Sequence, residues 1–194
     1  MVSNYSKRLD IRTEKKGQTD IIGGGMREDS IAQRLVAVHN EKYSSVFKIN
    51  ALQRITEHVM NKGLYIDNWD CKLDIEKNGK RYERIIEIEH LNKSGNKFRF
   101  KKHKIERCIR NNLGILYVHN FSLDEPKLRC FSYKELKSIY DSFKFVSDIN
   151  YFGGKEYCIF DYSMYDDWVD FNTLTPKIAY LKHMRKILLP QKET

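Results

Sequence analysis

The sequence predicts an α/β (α+β) fold, a single domain in which a central mixed sheet carries a β-hairpin and is flanked by helices. The hairpin is predicted from Asn78-Gly79, which lies between two runs of alternating apolar and polar residues and favours a tight type I′ turn. The sheet is predicted from the near-continuous apolar run at 115–118, which is typical of a strand covered on both faces. With 194 residues, the chain is long enough to bury one sizeable core.

The N-terminal part is predicted to contain an arm, two helices and a strand. Residues 1–25 are polar and basic and end in a triple glycine, which is typical of a flexible basic arm, and the glycines lack the Lys-Ser/Thr ending of a P-loop. Apolar spacing and capping residues predict one helix over 30–40 and a second over 50–63. A strand then begins at residue 64 and leads into the hairpin. The globular domain would span residues 26–194.

The hairpin would gather three carboxylates at its open end. Counting back from the turn pairs Cys71 with Ile86 and Asp70 with Glu87. Because side chains two apart share a face, Asp70, Glu87 and Glu89 project from one side of the sheet. Like charges opposite each other destabilise a strand pair, so the three carboxylates need a positive partner. A divalent cation that prefers oxygen ligands, such as magnesium, calcium or manganese, would bind them and compensate their charge. The alternative is the solvated face of an ordinary amphipathic hairpin, balanced by neighbouring Lys and Arg residues.

A strongly basic segment follows the hairpin. Residues 93–110 contain eight Lys or Arg residues and one acid, Glu106. A narrow apolar stripe of Ile105, Cys108 and Ile109 predicts a helix after Phe100 with one buried edge and a cationic outer face. Such a face can hold phosphates without reading sequence. The residues predicted to bind nucleic acid are Lys93, Lys97, Arg99, Lys101, Lys102, Lys104 and Arg107.

The C-terminal part is predicted to add two strands and two helices. Strands are expected over 128–131 and 157–162, and a capping box at Ser132 and Glu135 begins a helix between them. The acidic aromatic segment at 162–171 is expected to be a loop that packs Trp168 and Phe171 on the core, or a lid resembling DNA over a basic groove. A final helix begins at Thr175-Pro176, with Ile178, Leu181 and Met184 facing inward.

The order of these elements resembles the PD-(D/E)xK nuclease superfamily, in its E-x-E form. The resemblance covers about fifty residues and rests on Asp70, then Glu87-Ile88-Glu89, then a basic helix at 101–112 and an apolar strand at 113–119. It implies a restriction-endonuclease-like fold with a catalytic hairpin, and hydrolysis of DNA that depends on Mg²⁺ or, in its place, Mn²⁺. Two departures are Trp69 in place of proline and Glu89 in place of lysine.

The resemblance also implies roles for individual residues. Asp70 and Glu87 would hold the metal, and Glu89 would position or deprotonate the attacking water. Because Glu89 replaces the usual lysine, another cation must stabilise the charge on the phosphate. The candidates are Lys101, Lys102 and Lys104 in the following helix, and Lys102 is the one predicted to be catalytic. Three more carboxylates are possible additions to the site. They are Glu28, which would otherwise only favour a helix N-terminus, and Asp67 and Asp74, which replace Asp70 if the register differs.

Charge and cysteine usage favour a basic intracellular protein that meets an anionic partner. The formal net charge is +9, and the segment from Glu156 to Asp170 holds five acids and no Lys or Arg, so the remainder carries +14. DNA fits this asymmetry better than a membrane, although a basic solvated surface without a partner stays open. Four cysteines without C-x-x-C spacing predict small buried side chains, not a zinc ribbon. A cytoplasmic location is expected, since no apolar run has the length of a signal or membrane span.

The leading hypothesis is a metal-dependent DNA endonuclease of the small type II restriction or phage type, which would be a homodimer if its target is palindromic. One alternative is a nucleic-acid-binding protein without catalysis. Another is an HNH-type nuclease that uses His90, with His103 and an asparagine of the following turn, although the glycine and cysteine landmarks of that motif are absent. A third is an interaction or inhibitor protein that acts through the acidic aromatic segment.

Overall fold

The computed structural model of the protein describes residues 6–9, 14–54, 59–61, 64–67, 70–91, 97–120, 125–148 and 155–188. The strands are β1 (Ser6–Leu9), β2 (Lys48–Arg54), β3 (Val59–Asn61), β4 (Leu64–Asp67), β5 (Cys71–Lys77), β6 (Lys80–Leu91), β7 (Lys97–Lys101), β8 (Ile115–His119), β9 (Lys127–Phe131), β10 (Val146–Asp148), β11 (Lys155–Asp161) and β12 (Val169–Asp170). The helices are α1 (Glu14–Tyr43), α2 (Lys102–Arg110), α3 (Tyr133–Ser142) and α4 (Lys177–Leu188), with a short 3₁₀ helix at Tyr162–Met164.

A six-stranded mixed sheet lies at the centre of the fold, with strand order β12-β9-β8-β6-β5-β2. Two three-stranded sheets accompany it, in the orders β1-β4-β3 and β10-β11-β7.

The predicted fold class is confirmed, and so is the hairpin at its centre. Strands β5 and β6 pair antiparallel from Lys77↔Lys80 to Cys71↔Ile86, which is the predicted register. The turn residues Asn78 and Gly79 have φ values of 52° and 71°, as a type I′ turn requires. The register therefore brings Asp70, one residue before β5, level with Glu87.

Strand β6 changes partner half-way along its length. Its first half pairs with β5 as far as Ile86. Its second half pairs in parallel with β8, from Glu87↔Ile115 to Leu91↔His119. A parallel pair needs a long crossover, which β7 and α2 supply between the two strands. The crossover carries the basic segment back over the carboxylates of β6.

Apolar side chains form a separate core on each face of the six-stranded sheet. Helices α1 and α4 cover one face, where Ile31, Leu35, Ile88 and Met184 are buried together. On the other face Phe98, Phe100, Tyr117, Phe131, Phe160 and Trp168 pack with α2 and α3. Gly114 lies where the chain enters β8, and a Cβ there would meet the side chain of Ile187 and, at 2.7 Å, the carbonyl oxygen of Phe131. The four cysteines are free and buried, as predicted.

The predicted helix over 50–63 is wrong, because β2 and β3 occupy most of that range. The spacing of apolar residues there fits a helix locally. Strand β2, however, pairs with β5 over six residue pairs, with a register shift between Ile49 and Ala51. This pairing joins segments about twenty residues apart, so it overrides the local pattern.

The backbone before residue 26 is also more regular than the predicted flexible arm. Residues 6–9 form β1, and α1 begins at Glu14, so the triple glycine lies inside a helix that also exceeds the predicted 30–40. Glycine lowers helix propensity by about 1 kcal/mol per residue without forbidding a helix. The burial of Ile31, Ala32 and Leu35 anchors the C-terminal half of α1.

The later elements agree with the sequence more closely. Strands β8, β9 and β11 and the capping box of α3 are confirmed, the last by reciprocal bonds between Ser132 and Glu135. Trp168 and Phe171 are buried, which confirms the loop-packing interpretation of the acidic aromatic segment. In α4 the inward positions predicted for Met184 and Leu181 are confirmed, the latter as a partly buried residue. The inward position predicted for Ile178 is wrong, since it is 85% exposed and Tyr180 faces the core in its place. None of the described helices has the length and apolar character needed to cross a membrane.

Candidate functional site

A buried cluster of charged side chains lies at the open end of the hairpin. Asp70, Glu87 and Glu89 are 3%, 0% and 7% exposed, although carboxylates are seldom buried without partners. Their partner is Lys104, in the first turn of α2, which is itself 4% exposed. Its Nζ lies 2.8 Å from Glu87 Oε1, 3.3 Å from Glu89 Oε2 and 3.4 Å from Asp70 Oδ2. A fourth carboxylate, that of Glu28 on α1, lies 4.0 Å from the same nitrogen.

Two members of the cluster also bind the backbone of β6. The N–H of Ile88 donates to Asp70 Oδ2 at 2.6 Å, and Lys104 Nζ donates to the carbonyl oxygen of Ile88 at 2.9 Å. These bonds occur in the half of β6 beyond its pairing with β5, which ends at Cys71↔Ile86. The two side chains thus take the place of a neighbouring strand. This fixes both charges relative to the sheet.

Two further cations border the cluster. Arg107, one turn after Lys104 on α2, donates from Nη2 to Glu87 Oε1. Lys101, the last residue of β7, places Nζ 3.1 Å from Glu89 Oε1 and is 30% exposed in its side chain. Four carboxylates and three cations therefore meet here, so the fully ionised cluster carries one excess negative charge.

The pKa values of two carboxyl groups in the cluster, those of Glu28 and Glu89, are shifted in opposite directions. Burial raises the pKa of Glu28 to about 7, because Lys104 and Lys101 compensate only part of its desolvation. Burial would raise the pKa of Glu89 as well, but the adjacent Lys101 and Lys104 lower it to about 2. Burial works against the charged form of Lys104, yet the surrounding carboxylates, Asp70 first, keep its pKa well above the usual value. At neutral pH Glu89 and Lys104 are charged, while Glu28 is near its midpoint.

The structure brings together Asp70, Glu87, Glu89 and Glu28, but not every residue predicted for the site. Asp74 lies midway along the hairpin opposite Glu83, about 13 Å along the strand from Asp70 at 3.3 Å per residue. The side chain of Asp67 lies outside the described residues. Lys102, the lysine predicted to be catalytic, does not join the cluster. Its Nζ lies 2.8 Å from Oε2 of Glu156.

The basic segment is therefore organised differently from the prediction. It begins as β7 and becomes helical only at Lys102, and Lys104 and Arg107 lie on the buried side of α2, so they are not on its outer face. Lys93 lies outside the described residues. The sequence does contain a signal for the two buried cations, because Lys104 and Arg107 are three residues apart and so lie on one side of a helix.

His90 is next to the cluster in sequence, and the charge of Glu89 acts on its ring. It follows Glu89 on β6, so strand alternation directs it to the opposite face, with Ile86 and Ile88. Burial lowers its pKa to about 4, which keeps the imidazole neutral at physiological pH. His90 is half-buried, and its Nδ1 has no hydrogen-bond partner among the described residues.

The acidic aromatic segment contributes to a second ionic cluster. Arg129 on β9, 3% exposed, lies between the rings of Phe131 and Tyr165, at 4.2 Å and 3.9 Å. It also binds Asp167 at 2.6 Å and Glu135 at 3.0 Å. Asp167 therefore ties the segment to the fold instead of projecting from it.

The donor chemistry of the first cluster fits a hard divalent cation. Its ligands are carboxylate oxygens only, which suit magnesium or manganese, and they outnumber the cations beside them. Among the described side chains, however, no three His, Cys, Asp or Glu groups are arranged to hold a metal ion as they stand. The ammonium of Lys104 lies within 3.4 Å of three of the carboxylates.

Comparisons with protein-family models, with curated proteins and with solved structures find no significant match to this chain.

Proposed function

We propose that this protein is a metal-dependent endonuclease that hydrolyses phosphodiester bonds of DNA. The observation that supports this most is the convergence of Asp70, Glu87, Glu89 and Glu28 on Lys104 within a buried site. Lys101, Lys104 and Arg107 can compensate three of the four carboxylates, so the fully ionised cluster holds one carboxylate more than its cations require. Three carboxylates within 3.4 Å of one ammonium make a site rich in the oxygen ligands that a divalent cation prefers.

In this proposal Asp70 and Glu87 hold Mg²⁺, or Mn²⁺ in its place, and Glu28 is an additional candidate ligand. A cation bound there would neutralise charge on the phosphate and lower the pKa of a bound water. Asp70 is well suited to this role because its bond from the Ile88 N–H fixes its orientation. Glu87 is held in the same way by Arg107. These bonds hold both carboxylates in place, and a cation that binds between them must displace the ammonium of Lys104.

The remaining charged side chains would act on the attacking water and on the phosphate. Glu89 is ionised at neutral pH, since its pKa is about 2, so it can accept a hydrogen bond from water and orient it. Its low pKa makes it a weak general base and favours a positioning role. Lys104 keeps its proton, which suits it to stabilise negative charge that develops on the phosphate. We therefore assign to Lys104 the cationic role for which Lys102 was the sequence-based candidate.

A nucleic-acid-binding protein without catalysis is the second candidate. The positions of Lys104 and Arg107 favour this candidate, because these two cations already neutralise much of the negative charge of the carboxylates. In that case the cluster is a buried ion network that specifies the packing of α2 on β6. The two candidates differ in one respect, which is whether a divalent cation enters the cluster.

Incubation of the purified protein with plasmid DNA and with single-stranded DNA tests the proposal. We expect cleavage with Mg²⁺ or Mn²⁺, and binding without cleavage when Ca²⁺ replaces them. Asp70→Asn and Glu87→Gln should each abolish cleavage and keep or tighten binding, because each removes negative charge beside the phosphate. Asp74→Asn is the matched control, since it is on the same hairpin but outside the cluster. Full activity in Asp70→Asn, or no cleavage of any DNA by the unaltered protein, would contradict the proposal.

A further inference from the structure

The outer face of the sheet β10-β11-β7 combines a cationic edge with an apolar centre. Along β7, Lys97, Arg99 and Lys101 alternate with the buried Phe98 and Phe100, so the three cations share the outward side. Their spacing is about 6.6 Å, twice the rise per residue of a strand. Strand β7 is at the edge of this sheet, so the cations form a row along its border.

Apolar side chains lie beside that row. Ile159 on β11 is the register partner of Arg99 and is 48% exposed, and Val146 on β10 is 44% exposed. Between them Tyr157 has its ring beneath the guanidinium of Arg99, at 4.7 Å from the ring centre. Asp161 is the one acidic register partner of the row, opposite Lys97. This face of the sheet therefore presents exposed apolar side chains directly beside a row of positively charged side chains.

The row of cations ends at the buried carboxylate cluster. Lys101, its last member, places its ammonium 3.1 Å from Glu89. The next residue begins α2, whose first turn carries Lys104. A polyanion that follows β7 is thereby directed to the site proposed for hydrolysis.

We infer that this face binds an unpaired DNA strand, with its phosphates along Lys97, Arg99 and Lys101 and its bases over Ile159 and Val146. The inference rests on the proposed function for its choice of DNA as the ligand. An unpaired strand carries phosphates on one side and exposed base faces on the other, which complements the two chemistries of the sheet. A duplex keeps its base faces stacked inside, so against a flat sheet it would offer phosphates and leave the apolar centre without a partner.

Equilibrium binding of the full-length protein to a labelled single strand, to its duplex and to RNA of the same sequence tests this, in a buffer with Ca²⁺ and without Mg²⁺. We expect the single DNA strand to bind about tenfold more tightly than the duplex, a difference of about 1.4 kcal/mol, because only the unpaired strand offers base faces to Ile159 and Val146. Ile159→Asn should weaken binding of the single strand several-fold and leave its salt dependence unchanged. The matched control is Ile178→Asn, the same substitution at a residue 85% exposed on α4, which should change nothing.

Lys97→Gln and Arg99→Gln separate the phosphate contacts from the base contacts. Each should weaken binding and reduce the slope of log K against log salt by about 0.7, the value for one phosphate contact on a single strand. Lys97 is exposed, so its substitution leaves folding intact even if Arg99→Gln disturbs the contact with Tyr157. Equal or tighter binding of the duplex, a preference for RNA, or an Ile159→Asn variant that binds like the unaltered protein would overturn the inference. Single-strand binding without cleavage in Mg²⁺ would instead count against the proposed function alone.

Discussion

Lys104→Met tests the dependence of the carboxylate cluster on one ammonium group. Methionine keeps most of the stem of lysine and its packing, so the change removes mainly the charge. The structure gives Lys104 three carboxylates within 3.4 Å and an exposure of 4%, which makes it a buried ion-pair partner. Removing one partner of such a pair costs about 3–5 kcal/mol. Because Arg107 still compensates Glu87, we expect a loss near 3 kcal/mol, which is a large fraction of a typical stability.

Urea unfolding in the presence of a chelator measures this loss, and thermal unfolding should show a melting temperature lower by about 6–12 °C. Lys102→Met is the matched control, since it makes the same substitution two residues earlier in α2 at a surface ion pair with Glu156. It should change stability little, because exposed ion pairs contribute little. A loss in Lys104→Met no greater than in the control would refute the view that Lys104 holds the cluster together.

The same variant distinguishes the two candidate functions. If a divalent cation binds the carboxylates, millimolar Mg²⁺ or Mn²⁺ should restore the stability of Lys104→Met, because binding to the folded state adds stability through mass action. The unaltered protein should gain less, since there the cation must displace Lys104. A variant that stays destabilised in Mg²⁺, Mn²⁺ and Ca²⁺ alike would leave the carboxylates as a structural ion network only.

Two further predictions concern pH and packing. Burial raises the pKa of Glu28 from 4.5 to about 7, so without metal its contribution to stability is complete below pH 4.5 and is lost as the pH rises through 7. Glu28→Gln should therefore remove a pH dependence of about 3 kcal/mol over that window, as followed by urea unfolding at several pH values, and an unchanged profile would mean that Glu28 is not buried in solution. Gly114→Ala should cost about 1–3 kcal/mol, because its Cβ would meet Ile187 and, at 2.7 Å, the Phe131 carbonyl oxygen. A melting temperature equal to that of the unaltered protein would show that both α4 and the backbone at Phe131 can shift to accommodate the methyl group.

Local chemistry made the hairpin predictable. Asn78-Gly79 determines the turn type, the turn determines the register, and the register places Asp70 level with Glu87. None of these steps needs information from elsewhere in the chain. The three-carboxylate end of the hairpin could therefore be derived from about twenty residues of sequence.

Long-range packing made the rest of the site unpredictable. The choice between Lys102 and Lys104 depends on where β7 ends and α2 begins, and that point is set by pairing of β7 with β11 more than fifty residues later. The position of Glu28 depends on α1 continuing through a triple glycine, which local propensity disfavours. The helix predicted over 50–63 was wrong for the same reason, since β2 in that segment pairs with β5, which lies about twenty residues later in the chain.

The bonds from Asp70 and Lys104 to the backbone of Ile88 have a consequence for solubility. An unprotected strand edge is a template on which a strand from another molecule can add, and many proteins block such edges with charged side chains. Here the blocking groups are the carboxylate and the ammonium of the candidate site. Ile88 is buried, so a substitution at either residue would remove a charge from the cluster, leave a buried backbone group of Ile88 without that partner, and uncover the strand edge wherever the local structure opens. Lost activity in such a variant can be attributed to chemistry only when the protein is also shown to remain monodisperse.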